Sequence, residues 1–194
     1  MSASQLHRNT ADRLARADAA RDAFQYETLE FRGRLEILDR EGRVARFIRR
    51  QRIRFLEDNV TAFHDRIWGT GILCAYYAAD GMRMLQPIRT LKGYVLPLAL
   101  PRPFHKGEVF EVRTERRIVG AFVGAGGYWE SAMAVPTDVL DIEVVTPVGL
   151  RCRSVELDVP RRSGLSAGAR PRALALKVSQ PALDVPYRLS WSWN

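Results

Sequence analysis

The chain has 194 residues, 46% of them hydrophobic and 27% charged, which excludes a disordered polar polymer and leaves room for one globular core. Its formal net charge of +8 and pI of about 10.1 favour acidic partners such as nucleic acid or an acidic protein. The basic residues are Arg except at Lys92, Lys106 and Lys177, a usage that GC-rich coding also produces, so charge alone does not mark an interface.

Residues 4–24 read as a helix. Ser4 can cap it, alanines crowd its middle, and Arg8, Asp12 and Arg16 follow at four-residue spacing. Its apolar stripe is thin: Leu6, Leu14 and Phe24. The segment 1–25 is therefore expected to be a tail, or a docking helix that completes its face on a partner through Leu6 and Leu14. Residues 26–194 are expected to form the domain proper.

Residues 26–56 read as a long β-hairpin. Leu29, Phe31, Leu35 and Ile37 alternate with Glu30, Arg32, Arg34 and Glu36, and Arg40-Glu41-Gly42 suits a three-residue loop. One register pairs Leu29 with Ile53 and Leu35 with Phe47 inside. It also places Glu30 opposite Arg52 and Glu36 opposite Arg46 outside, a favourable charge pairing. A helix over 43–56 is the competing reading, because Val44, Phe47, Ile48 and Phe55 also fit helical spacing.

Short apolar segments follow. Ile67–Tyr77 is strand-like and Ala79-Asp-Gly81 turns it. Ile88–Leu98 follows and Pro101-Arg-Pro103 breaks it. His105-Lys-Gly107 is a turn before the alternation of 109–115. Gly124-Ala-Gly-Gly127 reads as a loop, Tyr128–Val135 as a strand, and 139–145 and Cys152–Val159 as strands of alternating character. Residues 160–171 read as a Pro/Arg/Gly/Ser loop. Ala173–Val178 is a strand. The end, Tyr187-Arg-Leu-Ser-Trp-Ser-Trp-Asn194, puts Tyr187, Leu189, Trp191 and Trp193 on one face. Many short strands at regular turn spacing predict a mainly β protein. The expected architecture is an antiparallel β-sandwich, with a barrel as the alternative, preceded by an N-terminal helix.

The order Trp129-Glu130, Pro136-Thr137 before an alternating strand, and a terminal Tyr-x-Leu-x-Trp-x-Trp resembles uncharacterised β-rich accessory domains of bacterial signalling or defence-type multidomain proteins. The resemblance covers about residues 40–194 and rests on strand punctuation and core aromatics. It implies an accessory or interaction module and supplies no catalytic or binding residues.

Candidate chemistry is sparse. The basic hairpin strand carries Arg43, Arg46, Arg49, Arg50, Arg52 and Arg54, of which Arg46, Arg50, Arg52 and Arg54 could follow successive phosphates or meet an acidic partner. Arg161 and Arg162, with Arg170 and Arg172, add a second basic cluster. No aromatic interleaves with the arginines as a stacking platform would require. The glycines of 124–127 precede a strand rather than a helix, against a dinucleotide fingerprint. His7, His64 and His105 lack a second ligand at metal spacing, and His64 and Asp65 should point to opposite faces of a strand. Trp68, before Gly-Thr-Gly, is the aromatic best placed for a partner chain. Cys74 and Cys152 read as thiols of a reducing compartment, and the longest apolar run, 94–100, is too short for a membrane helix.

These readings predict a cytoplasmic, non-enzymatic protein-interaction module with no cofactor, metal or catalytic residues. It would bind another chain or its own copies. The alternatives are a nucleic-acid-binding protein using the Arg-rich hairpin, and a small enzyme whose site does not show in the sequence.

Overall fold

In the computed structural model the described residues are 25–89, 93–124, 126–147, 155–158, 164–170 and 172–192. The first two strands are a hairpin, β1 (Tyr26–Ile37) and β2 (Val44–Phe55), so the helical reading of 43–56 is overturned. Charge and apolar character alternate along β2 without a break, and only a period of two separates them. Leu35 faces Phe47, Glu36 faces Arg46 and Glu30 faces Arg52 as expected. The inner pairing of Leu29 with Ile53 is not formed. A bulge between Thr28 and Glu30 gives Ile53 to Thr28, because one extra residue switches the face of everything beyond it. The turn is longer than three residues. Leu38 N–H donates to the Val44 carbonyl, the Asp39 carboxylate accepts from the Arg43 and Val44 amides, and Gly42 takes φ 68°.

The remaining strands are β3 (Val60–Trp68), β4 (Ile72–Ala78), β5 (Arg83–Met84), β6 (Ile88–Arg89), β7 (Gly93–Phe104), β8 (Val109–Val119), β9 (Gly126–Ala132), β10 (Val139–Val145), β11 (Val155–Asp158), β12 (Gly164–Arg170), β13 (Ala173–Ser179) and β14 (Pro186–Ser192). A seven-stranded sheet runs β12-β13-β10-β1-β2-β8-β4. A second sheet is β11-β14-β9, and a third holds β3, β7, β5 and β6. The molecule is mainly β, its sheets are not closed into a barrel, and β1 with β10 is a parallel pair among antiparallel ones. Residues 1–24, with the expected helix, Leu6 and Leu14, lie outside the described residues.

Three further expectations are corrected. Ile67–Tyr77 is not one strand: Gly69 and Gly71, both at positive φ, turn the chain between β3 and β4. Pro101 and Pro103 do not break β7, which runs on to Phe104. They sit where β3 and β7 shift register between Val60 and Ala62, a place where a missing N–H costs no ladder bond. Residues 164–170 are not loop; they form β12, paired along β13. The apolar β13 has one side on β10, and its small-residue neighbour covers the other.

Two apolar cores lie on one face of the large sheet. Leu140, Ile142 and Val144 of β10 and Leu174, Leu176 and Val178 of β13 pack with Tyr187, Leu189 and Trp191 of β14. These nine side chains are at most 3% exposed, so the aromatic face of the terminal strand is interior, as its alternation predicts. Trp193 is outside the described residues. In the other core, Ile53 and Phe55 of β2 and Val112 of β8 meet Val60 and Phe63 of β3 and Leu98 and Phe104 of β7. Phe55 and Phe104 stack with ring centroids 4.8 Å apart. The two small sheets thus stand side by side on the large one.

Candidate functional site

Between the two small sheets a cleft of about 1190 Å³ reaches down to the large sheet. Its floor comes from neighbouring positions on β1, β2 and β8: Phe31, Leu35, Phe47, Arg49, Gln51 and Arg116. Asp65 of β3 stands on one side and Trp129 of β9 on the other. Gly33 opens space for that second wall. A Cβ there would come within 2.5 Å of the Trp129 ring, which meets Phe47 edge-on at 5.1 Å. Gly126 and Gly127 instead make room for the close approach of Trp191 on β14. They belong to β9 rather than to a loop, and a side chain on either would strike Trp191.

Arg49 follows Phe47 and precedes Gln51 on the inward register of β2, so a guanidinium enters an otherwise apolar face. It is 8% exposed and Asp65 is fully buried. Its Nη1 donates to Asp65 Oδ1 at 2.5 Å and its Nη2 to Gln51 Oε1 at 2.5 Å. Gln51 Nε2 passes the chain on to the Thr28 hydroxyl at 2.7 Å. The guanidinium also lies 4.8 Å from the Phe63 ring centroid, a cation–π contact that favours charge in a dry place. The second Asp65 oxygen accepts from the Tyr76 hydroxyl at 2.8 Å. Burial, then the charge of Asp65 and that hydrogen bond, push the Tyr76 phenol well above its ordinary value, so Tyr76 is a fixed donor. Both carboxylate oxygens are therefore engaged.

Arg116 occupies the next position on the same face, with Phe47 on one side and Tyr76 on the other. Its guanidinium lies 4.2 Å over the Phe47 ring. Its Nε has no accessible surface and no hydrogen-bond partner. Burial lowers its pKa from the ordinary 12.5, with Asp65 opposing and Arg49 reinforcing the shift; a guanidinium so placed remains a cation.

Of the residues singled out in sequence, Arg49 stands in the cleft, and the arginines beside it on β2 lie elsewhere. Arg46, Arg50, Arg52 and Arg54 share the outer face of the large sheet. Arg46 is bonded to Glu36, and Arg54 Nε to Glu27 at 2.6 Å. Arg52 stands between Glu30 and Glu111, and Arg50 between Arg32 and Arg113. Arg161 and Arg162 lie outside the described residues, as does the Trp68 side chain at the end of β3. His64 and Asp65 do lie on one strand, but Asp65 is the buried partner of Arg49. The available signal was Arg49 itself, a charge on the apolar register of β2. Cys74 is a free, exposed thiol on β4. Among the described residues no three of His, Cys, Asp and Glu gather as a metal set, and no helix is long and apolar enough to cross a membrane.

No protein-family model matches the chain, and no curated protein does. Solved structures do. The M1 zinc metallopeptidase from Deinococcus radiodurans is similar over 87% of this chain and 42% of its own, with a TM-score of 0.52 and 14% identity. A variant of that enzyme bound to a Tyr-Ser-Ala substrate matches over the same shares with a TM-score of 0.52 and 12% identity. A two-domain M1 zinc metallopeptidase variant bound to L-arginine gives 0.51 and 13%, again over 87% and 42%. At this identity the likeness is one of fold. The chain spans less than half the length of the structures it matches.

Proposed function

We propose that this chain is a non-enzymatic interaction module that accepts a partner β-strand along β4. One observation carries the reading. β4 is the edge of the seven-stranded sheet, and its sequence Ile72-Leu-Cys-Ala-Tyr-Tyr-Ala78 holds no charge. Ile72 is 71% and Tyr77 65% exposed. Sheet edges are normally blunted by charge, proline or cover, because their free N–H and C=O groups template another strand. Among the described residues neither charge nor proline guards β4, which carries a register shift against β8 between Leu73 and Ala75. An apolar edge of this kind suits strand addition, in which main-chain bonds give affinity and alternate side chains give choice. Tyr76 pins the same strand to Asp65 of β3, which ties the edge to the rest of the protein. The matched peptidases support a modular role in one respect: there a unit of this fold is part of a longer chain. An accessory role in a bacterial signalling or defence system, and a β-sandwich arrangement of the sheets, belong to this proposal too.

The test places lysine on the edge, Ile72→Lys with Ala75→Lys. Light scattering and crosslinking through the exposed Cys74 read self-association, and capture from native extract reads another chain. Loss of assembly or capture in the variant is expected. A wild type that stays monomeric, forms no Cys74 crosslink and captures nothing that the variant fails to capture overturns the reading.

The rival reading is nucleic-acid contact through the hairpin. It is favoured by Arg50 and Arg52, which are exposed and make no ion pair among the described residues. It predicts retention on a DNA or RNA column at low salt that Arg50→Ala with Arg52→Ala abolishes; equal retention of the double variant rejects it.

A further inference from the structure

The cleft carries a charge that its own residues do not balance. Arg49 and Arg116 both reach its floor, while Asp65 is the carboxylate between them. The two Asp65 oxygens go to Arg49 and Tyr76. Among the described residues Arg116 makes no hydrogen bond and no ion pair, and its guanidinium lies over the Phe47 ring. The other carboxylates that line the cleft do not serve it either, for Glu130 is bonded to Arg188 at 2.6 Å and Asp184 is exposed. Arg116 is half-buried, and its Nε is shut off from water without a partner, which is costly. A few placed polar groups in a concave, largely apolar site are what orient a ligand.

We infer that the cleft binds a monocarboxylate with an apolar body, the Arg116 guanidinium gripping the carboxylate and Phe31, Phe47 and Trp129 lining the path of the body. The assignment of charge follows from the floor. There Arg49 is matched by Asp65 and Arg116 is not, while Arg66 lines the β3 side. One negative charge on Arg116 balances the floor, and a dianion would crowd negative charge beside Asp65 in a low-dielectric cleft. Arg suits a carboxylate because its fork offers two parallel N–H donors to two oxygens. The apolar body follows from the wall: Phe31, Leu35, Phe47, Trp129 and Val95 face the space. Its volume of about 1190 Å³ exceeds the roughly 300–1000 Å³ of small-ligand sites, so the body can be more than one ring.

Such a carboxylate can belong to a free aryl or aliphatic acid or to the C-terminal residue of a peptide. Calorimetric titration of the full chain separates the two. The probes are 3-phenylpropionate, an acetylated tripeptide ending in Phe with a free carboxylate, and the carboxamide of each. The acids are expected to bind at least tenfold more tightly than their amides, and Arg116→Met to erase that difference. The tighter acid identifies the source, and either order supports the inference. Equal binding of acid and amide, an acid preference that survives Arg116→Met, or no saturable binding of any probe overturns it. The acid–amide comparison needs no variant, so a misfolded Arg116→Met protein does not blunt it. The β4 lysine variant should leave this binding unchanged, which keeps the outcome separate from that of the strand-addition proposal.

Discussion

On the outer face of the seven-stranded sheet arginine is cheap. Arg34 reaches Glu36 and Glu143 at 2.8 Å each, Arg46 shares Glu36 at 2.6 Å, and Arg32 takes Glu30 at 2.7 Å. These arginine side chains are 35% to 58% exposed. Through the same strands, on the inner face, Arg49 is 8% exposed and tied to a carboxylate with no exposure at all. The two faces hold similar pairs with different consequences. In water a pair forms from solvated ions and contributes about 0–1 kcal/mol. In the interior both ions have already lost their hydration, so the pair is a condition of folding rather than a bonus. What the contrast teaches is that arginine count says little here; the register on which each arginine falls decides its role.

The sharpest way to break the comparison is Asp65→Ala. It leaves Arg49 buried opposite nothing and frees the Tyr76 hydroxyl, and about 3–5 kcal/mol should be lost, a large share of the roughly 5–15 kcal/mol that holds a domain. Urea unfolding measures it. Replacing both partners, Arg49→Met with Asp65→Leu, should recover most of the loss, since an apolar pair of similar volume no longer strands a charge. If Asp65→Ala costs no more than an exposed pair, the interior reading of Arg49 fails.

That inner pair also marks the limit of what the chain discloses in one dimension. Alternation reveals the hairpin, the Glu36–Arg46 and Glu30–Arg52 registers and the buried face of β14, because each depends only on neighbours two apart or on one turn. Leu29 is misplaced by the bulge after Thr28, which leaves no mark in the hydrophobic pattern. β12 is hidden because Gly, Ser and Ala of 164–170 look like loop until β13 is there to pair with them. The cleft joins β1, β2, β3, β8 and β9, elements whose proximity is a matter of topology. Arg49 could have been flagged as a charge on an apolar register, but Asp65 could not have been named its partner. Arg116 shows least of all, since its peculiarity is a polar partner that is missing among the described residues.

The smallest effect belongs to the outer face, and it sharpens the comparison through pH. Burial alone would raise the Glu36 carboxyl, but the hydrogen bonds from Arg46 and Arg34 reverse this and hold it below its ordinary 4.5. A carboxyl whose folded pKa is depressed contributes stability that is fully present above the unfolded value and is lost as pH falls through the folded one. Glu36→Gln should therefore cost about 0–1 kcal/mol at neutral pH. That gap from wild type should close as the pH drops below the ordinary carboxylate range, and high salt should narrow it at neutral pH. Urea midpoints of the two proteins across acid pH read the difference directly. A neutral-pH cost of several kcal/mol would mean that Glu36 behaves like Asp65, and the distinction between the two faces would fall with it.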